Sequence, residues 1–276
     1  MIENIFDVMK MLKVDGIAKA LAPFMGKELE FVPDVLPFYR YDNPNFMING
    51  RKVLSPKVFM GMNIHGDESK QAGWVQTLAR ELAHDPNSVP SFLLVPYMSP
   101  SATSRATREN LFGTDIGRSF PVDVSDSNDS EVAHIISVYT REGPFDVVVL
   151  GHNSDERGSY VYVQTDLESI DAKVDDDHFR KTLNLGGMVA YNGPGNPYLH
   201  DDPQMDTPII NGVCRIRNWE ELNEGNFIEN WMLSRGARAS ITLEPNYYMS
   251  NAQFERYYFA VYQNTFLPTV RACVNN

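Results

Sequence analysis

Cysteine is scarce in this chain of 276 residues, since Cys214 and Cys273 are its only two cysteines. Two cysteines are too few for a disulfide framework, and they lack the close spacing of a cysteine-based metal site. The composition therefore favours a reducing compartment, and we expect a cytoplasmic protein. A single disulfide between the two stays open at this stage.

Long hydrophobic runs are absent as well. The stretch from Phe145 to Leu150 falls far short of the roughly 18 apolar residues that a membrane span requires. The N-terminal segment carries acids at Glu3 and Asp7 and spaces its apolar residues as a helix does. That pattern is not typical of a secretory signal. We expect no membrane association.

Basic residues are outnumbered: 24 Lys and Arg stand against 36 Asp and Glu, which gives a formal net charge of −12. A surface of this sign repels phosphate backbones, so we do not expect nucleic acid as a partner. A local basic pocket stays compatible with this charge.

Hydrophobic residues make up 43% of the chain, enough for a substantial core, and we predict one domain over residues 1–276. No feature of the sequence indicates an oligomeric state.

Several common catalytic signatures are missing, among them the Gly-x-Ser-x-Gly elbow, the His-Glu-x-x-His helix and the Gly-x-x-x-x-Gly-Lys phosphate loop. Hydrophobic periodicity instead predicts alternating helices and strands. We predict helices over 2–21, 68–83, 131–142, 228–235 and 252–266, the last ending before Pro268. We predict strands over 29–35, 57–64, 91–98, 145–150 and 238–243, and an extended loop over 186–212. The pattern indicates an α/β sandwich with a largely buried central sheet flanked by helices.

Four segments carry residues suited to catalysis. His65 and Glu68 lie where a predicted strand passes into a predicted helix, a place where open α/β sheets present ligands. His152 directly follows an apolar strand, and Glu244 ends another, where loss of solvent raises the pKa of a carboxylate. Taken alone, the pair of His65 and Glu68 and the single His152 are each more often structural than functional.

The fourth segment, residues 108–121, has the sequence Arg-Glu-Asn-Leu-Phe-Gly-Thr-Asp-Ile-Gly-Arg-Ser-Phe-Pro. Taken with the other three, in this order along the chain, it resembles the zinc carboxypeptidase superfamily. That superfamily includes murein peptide amidases and the succinylglutamate desuccinylase and aspartoacylase group. Its pattern is His-x-x-Glu, then Arg-x-Asn-x-x-Gly-x-Asp-x-Asn-Arg-x-Phe-Pro, then a histidine after a strand, then Thr-x-Glu. The match runs over residues 59–245, roughly two-thirds of the chain.

The resemblance implies a single-domain fold with a mixed sheet and one Zn²⁺ per chain, held by His65, Glu68 and His152. Two imidazoles and one carboxylate leave a fourth zinc position for water, as a catalytic site requires. The resemblance makes Glu244 the general base and Arg108 the group that stabilises the oxyanion.

By the same resemblance, Arg118 is expected to hold a substrate carboxylate in a bidentate fork. Asn110 and Tyr248 are further expected substrate contacts, although aromatic packing is an alternative for Tyr248. Two positions depart from the pattern. Gly117 stands where the superfamily has Asn before the second arginine, and Leu150 stands where bacterial relatives often have Asp.

The resemblance therefore predicts a zinc-dependent hydrolase that cleaves an amide bond next to a free carboxylate, as a carboxypeptidase or a murein peptide amidase does. Two alternatives remain. One is an N-acyl amino-acid deacylase of the desuccinylase or aspartoacylase type, which the short stretch after Glu244 disfavours. The other is a zinc-dependent binding protein with weakened catalysis, which Gly117 and Leu150 favour. The expected partner is a small peptide or acyl-amino-acid substrate.

Overall fold

The computed structural model describes residues 20–24, 29–32, 34, 36–68, 71–120, 129–154, 158–165, 167–193, 208–216 and 227–274. Within these ranges the strands are β1 (Leu29–Val32), β2 (Phe38–Tyr41), β3 (Met47–Ile48), β4 (Arg51–Lys52), β5 (Lys57–Gly61), β6 (Ser91–Val95), β7 (Val147–Gly151), β8 (Tyr160–Gln164), β9 (Ile209–Ile210), β10 (Val213–Ile216) and β11 (Ala239–Glu244). The helices are α1 (Ala72–His84), α2 (Pro100–Arg105), α3 (Ser130–Glu142), α4 (Glu168–Asp171), α5 (Asp176–Leu185), α6 (Ile228–Ser234), α7 (Asn251–Val261) and α8 (Leu267–Val274).

Nine of these strands form one sheet in the order β1-β2-β6-β5-β7-β11-β8-β10-β9. Its centre, β6-β5-β7-β11, is parallel, whereas β8 runs antiparallel to β11 and β2 runs antiparallel to β6. The predicted mixed central sheet flanked by helices is thereby confirmed.

The two faces of the sheet are covered by different helices, because successive side chains of a strand point to opposite faces. On β7, Val147 and Val149 belong to the hydrophobic cluster that includes residues of α1, α7 and α8. Val148 and Leu150 belong to the cluster that includes residues of α3 and α6. All five residues of β7 are buried, which explains its unbroken apolar sequence.

The last helical segment corrects a prediction. We expected the helix to end before Pro268, but a π-helical turn (Tyr262–Phe266) follows α7, and α8 continues through the proline. A proline leaves the carbonyl four residues earlier without its usual helical donor. Here that carbonyl, of Asn264, accepts a hydrogen bond from the Asp175 backbone N–H at 3.2 Å. The tertiary contact therefore replaces the bond that the proline cannot make.

Other predictions concern residues that are only partly described. Of the predicted helix over 2–21 only Ala20 and Leu21 are described, and both are helical. Of the predicted loop over 186–212, residues 194–207 lie outside the described ranges, and 209–210 form β9. No helix among the described residues is long and apolar enough to cross a membrane. Cys214 and Cys273 are buried free thiols, so the disulfide left open above is not formed.

Candidate metal centre

Three neighbouring parallel strands deliver the candidate site residues to one edge of the sheet. His65 lies in the loop after β5, His152 immediately follows β7, and Glu244 is the last residue of β11. These strands are adjacent in the order β5-β7-β11 and run in the same direction. Their carboxyl ends therefore meet, in the position where open α/β sheets bind ligands.

The loop that carries His65 and Glu68 differs from the prediction. The strand ends at Gly61 rather than at 64, and helix α1 begins at Ala72 rather than at 68. This loop lies close against helix α2, since a Cβ atom added at Gly66 would lie 2.0 Å from the backbone of Ala102. The Gly66 N–H donates to the carbonyl of Thr107 at 2.8 Å. Glu68 thus reaches the site from a turn.

The three predicted metal ligands are brought together. One ligand atom from each of His65, Glu68 and His152 lies within 4.8 Å of the other two. The Nδ1 of His65 is 2.9 Å from Glu68 Oε1, and the Nδ1 of His152 is 3.1 Å from Glu68 Oε2. The two imidazole rings are 4.9 Å apart between centroids.

The chemistry of this cluster fits a metal ion. Among the described residues, His65 Nδ1 and Glu68 Oε2 are buried atoms that make no hydrogen bond of normal geometry, despite their short contacts. Leaving such atoms without a partner is costly unless another group satisfies them. Two imidazole nitrogens and a carboxylate oxygen are a donor set that catalytic zinc sites use. His65, Glu68 and His152 could therefore hold a metal ion.

Asp115 supports the first ligand, a role that was not assigned from the sequence. Its Oδ1 lies 2.9 Å from the Nε2 of His65, and its Oδ2 accepts a hydrogen bond from Arg108 Nε at 3.0 Å. When the Nε2 of His65 carries a proton toward Asp115, the Nδ1 is left with the lone pair that a metal needs. The signal was present in the sequence, since Asp115 stands in the matched segment.

The charges of the cluster shift the pKa values of its members. Burial alone would lower the pKa of His65, but the hydrogen bond to Asp115 and the negative charge of Glu68 outweigh it and raise that pKa to about 9. Burial would raise the pKa of Glu68, but His152 and His65 lower it to about 2. The pKa of Asp115 is held well below its usual range by His65 and Arg108, against the effect of burial. Carboxylates and imidazoles thus favour one another's charged forms.

Glu244 lies at the rim of the cluster and is half-buried. The pKa of its carboxyl is raised to about 8. Burial is the main cause, the negative charges of Glu68 and Glu229 add to it, and His152 opposes it. Its backbone N–H donates to the Tyr257 hydroxyl at 2.9 Å, and that hydroxyl donates to the Tyr160 carbonyl at 2.6 Å. A carboxyl group with a pKa near neutral can accept and return a proton.

The two arginines of the matched segment have different surroundings. Arg108 lies against the ligand cluster, with Nη2 at 3.0 Å from Asp115 and Nη1 at 3.7 Å from Glu68. Arg118 is the last residue of a 3-10 turn (Ile116–Arg118), is exposed, and has its guanidinium carbon 6.0 Å from the centre of the Phe227 ring. Arg118 is thereby directed to the start of α6.

The surroundings of Asn110 and Tyr248 do not indicate the substrate-binding roles predicted for them. Asn110 is buried, donates to Asp129 at 2.6 Å, and accepts from the backbone N–H groups of Phe112 and Thr114. These hydrogen bonds hold the Asn110 side chain within its own loop. Its role in substrate binding stays a prediction, and these bonds do not support it. Tyr248 is 79% exposed and packs edge-on against Tyr247. Its predicted role stays open in the same way.

The two departures from the motif pattern also have a structural setting. Gly117 packs close to the contact between Asp115 and His65. A Cβ at this position would be 3.3 Å from Asp115 Oδ1 and 3.6 Å from His65 Nε2. Leu150 is fully buried in the cluster between β7, α3 and α6. Neither position supplies a metal ligand.

Comparison with known proteins identifies relatives by structure only. No protein-family model matches the chain, and no curated protein does. A protein from Shewanella denitrificans OS217, provisionally assigned as a metallopeptidase, is 14% identical, with 95% of this chain and 91% of that chain covered and a TM-score of 0.63. Carboxypeptidase A from Helicoverpa armigera is 12% identical, with 94% and 71% covered and a TM-score of 0.60. A metallo-carboxypeptidase from Pseudomonas aeruginosa is 15% identical, with 93% and 68% covered and a TM-score of 0.57.

The chain therefore has the fold of the metallo-carboxypeptidases, as the resemblance of its motifs to the zinc carboxypeptidase superfamily predicted. Identities this low show a shared fold and leave the activity to be argued from the site. That fold carries three potential metal ligands at the carboxyl ends of its central strands.

Proposed function

We propose that the chain is a zinc-dependent hydrolase that cleaves an amide bond next to a free carboxylate in a small peptide. The observation that carries the proposal is the convergence of His65, Glu68 and His152 within 4.8 Å, with two buried ligand atoms that make no hydrogen bond. Ordinary core histidines are hydrogen-bonded, so a purely structural cluster does not account for these atoms.

In this proposal, Glu244 and Arg108 have separate roles in the hydrolysis beside the metal ion. When bound, zinc supplies a Lewis acid that polarises the substrate carbonyl and makes water acidic enough to act as a nucleophile near pH 7. Glu244 takes the proton of the attacking water and delivers it to the leaving nitrogen, so that an acid and an amine are formed. Arg108 donates hydrogen bonds to the oxygen that gains negative charge.

In this proposal, Arg118 binds the substrate carboxylate. Its guanidinium is exposed and can form the planar fork that a carboxylate accepts. Gly117 provides no side-chain donor beside it, which removes one bond to that carboxylate relative to the superfamily pattern. The expected consequence is weaker binding of the substrate carboxylate with the hydrolytic groups intact.

The test combines metal removal with a substrate panel. The purified protein is expected to lose all activity on treatment with a strong chelator and to recover it with about one Zn²⁺ per chain. The panel contains N-acyl dipeptides with a free C-terminus, the same peptides with an amidated C-terminus, and N-acetyl and N-succinyl amino acids. Cleavage only of the free dipeptides supports the proposal.

Two other results would select the alternatives. Cleavage of the N-acyl amino acids in preference to the dipeptides would make the protein a deacylase, which uses the same ligands and base. Zinc binding with no cleavage of any amide would favour a binding protein, the alternative that Gly117 and Leu150 support.

A further inference from the structure

Two amide side chains form a hydrogen bond beside the candidate metal ligands. The Nε2 of Gln71 donates to the Oδ1 of Asn153 at 2.8 Å, although the two residues are 82 positions apart in the chain. Gln71 lies three positions after Glu68, and Asn153 directly follows His152. The hydrogen bond therefore joins the segment that carries one potential metal ligand to the segment that carries another.

The Gln71 end of this contact is fixed by packing. Gln71 is fully buried at the start of α1. A Cβ added at Gly73 would lie 2.6 Å from the ring of Tyr258, so the first turn of α1 lies close against α7. The stem of Gln71 also lies against β7, because a Cβ added at Gly151 would be 2.6 Å from Gln71 Cγ. The amide group is thus presented from a closely packed support.

The Asn153 end is held by the backbone on both sides of this residue. The His152 N–H donates to the Leu243 carbonyl at 3.0 Å. The Ser154 N–H donates to the Pro245 carbonyl at 2.9 Å. These bonds continue the pairing of β7 with β11 past the ends of both strands. The segment that carries His152 is therefore held by the β11 segment and, through Asn153, by the start of α1.

The amide pair is only partly satisfied, which argues against a purely structural role. Among the buried side-chain atoms of the described residues, Gln71 Oε1 and Asn153 Nδ2 make no hydrogen bond. A buried polar atom without a partner lowers stability, and two apolar side chains of the same shape would avoid this cost. Stability alone therefore favours apolar residues at these two positions. The amide pair supplies in their place a directed contact of fixed length between two ligand segments.

We propose that Gln71 and Asn153 are positioning residues for the metal centre. Their hydrogen bond fixes the segment of His152 relative to that of Glu68, whose Oε2 lies 3.1 Å from the Nδ1 of His152. Groups that orient a ligand from behind increase the affinity of the site for its metal ion. This inference rests on the metal site of the proposed function and is independent of which amide bond the protein cleaves.

The test replaces both amides with apolar side chains of similar size, in the double variant Gln71→Met/Asn153→Leu. Competition with a chelating indicator measures the Kd for Zn²⁺, and thermal unfolding is followed on the metal-free protein. We expect the Kd to rise by about tenfold or more. The melting temperature of the metal-free protein is expected to stay equal or to rise, because two buried atoms without partners are removed.

A second amide pair of the same residue types provides the matched control. Gln164 in β8 donates to Asn230 in α6 at 2.6 Å, and both residues are buried. Gln164 lies opposite Ser240, four residues of strand, or about 13 Å, before Glu244. Gln164→Met/Asn230→Leu is expected to leave the Kd for Zn²⁺ unchanged. Neither double variant alters the charge of the protein, so a difference in Kd between them reports the position of the lost hydrogen bond.

The visible spectrum of bound Co²⁺ gives a second readout, since its absorption bands depend on coordination geometry. The bands are expected to shift in the Gln71/Asn153 variant and to stay unchanged in the control. If the Gln71/Asn153 variant does not fold, Asn153→Ala at the half-buried end of the pair is measured in its place.

A wild-type Kd and a wild-type Co²⁺ spectrum in the Gln71/Asn153 variant would overturn the inference alone. An equal rise of Kd in the control would also overturn it, because loss of any buried amide pair would then weaken the site. A wild-type protein that binds no Zn²⁺ would overturn the inference and the proposed function together. Zinc binding without hydrolysis would end only the proposed function, since the Kd values still decide the role of the pair.

Discussion

The carboxylate of Asp115 lies 2.9 Å from the Nε2 of His65, although the two residues are 50 positions apart in the chain. The contact orients the imidazole ring with Nδ1 at 2.9 Å from Glu68 Oε1, and a proton held on Nε2 leaves the lone pair of Nδ1 free for a metal ion. Partners of this kind raise the basicity of a ligand and fix its geometry. The first prediction concerns this pair.

Asp115→Asn is expected to weaken zinc binding by about 10- to 100-fold, because an amide cannot hold the proton of Nε2 as a carboxylate does. Competition with a chelating indicator measures the change in Kd. Asp67→Asn is the control, since Asp67 is exposed in the same loop as His65 and loses the same charge. Equal effects of the two substitutions would show that net charge, and not the contact with His65, governs the affinity.

Glu244→Gln is expected to lower kcat by at least about 1000-fold while zinc content stays near one per chain, because the substitution removes the proton acceptor and no ligand. Elemental analysis and kcat on the best peptide substrate measure the two quantities. Retention of more than a tenth of the wild-type rate would mean that another group acts as the base.

Arg108 and Arg118 are expected to separate in their kinetic effects. Arg108→Gln should lower kcat by about 100-fold with little change in KM, since its hydrogen bonds are made to charge that develops in the transition state. Arg118→Gln should mainly raise KM, and only for substrates with a free C-terminal carboxylate. The amidated peptide serves as the internal control. Loss of zinc from Arg108→Gln would instead assign this arginine a structural role through Asp115.

Gly66→Ala is expected to destabilise the protein by about 3 kcal/mol or more and to reduce its zinc content, because the new Cβ would overlap the backbone of α2. That overlap is severe, with Ala102 atoms 2.0 Å away. Gly117→Ala is the milder comparison, since its Cβ would lie 3.3 Å from a side-chain oxygen of Asp115, which can give way, and not against backbone. Thermal unfolding compares the two variants. An unchanged melting temperature for Gly66→Ala would contradict the close packing of this loop against α2.

The two cysteines are expected to be unreactive in the folded protein. Burial raises the pKa of both thiols, Cys214 and Cys273, to about 12. Because reactivity belongs to the thiolate, only about one thiol in ten thousand is reactive at pH 8, and reactivity increases as the pH rises. Titration with a disulfide reagent should detect two thiols in denaturant and very slow reaction without it. Rapid native reaction, or fewer than two thiols after unfolding, would contradict this.

Sequence periodicity located most of the central elements because buried parallel strands are unbroken apolar runs. The segments 57–64, 91–98 and 145–150 correspond to β5, β6 and β7, with ends displaced by a few residues. The short strands β9 and β10 were missed, since two to four residues carry no recognisable period. The path through Pro268 was missed because a contact from Asp175 stabilises it.

The order of four motifs along the chain was sufficient to predict that His65, Glu68, His152 and Glu244 lie close together, because the motifs place them at or after the ends of adjacent central strands. The supporting contacts were decided by the tertiary structure alone. Asp115 meets His65 only because two loops 50 positions apart in the chain pack together over one edge of the sheet. Local sequence patterns describe single elements, whereas such contacts depend on strand order and register, which are set by the packing of the whole core.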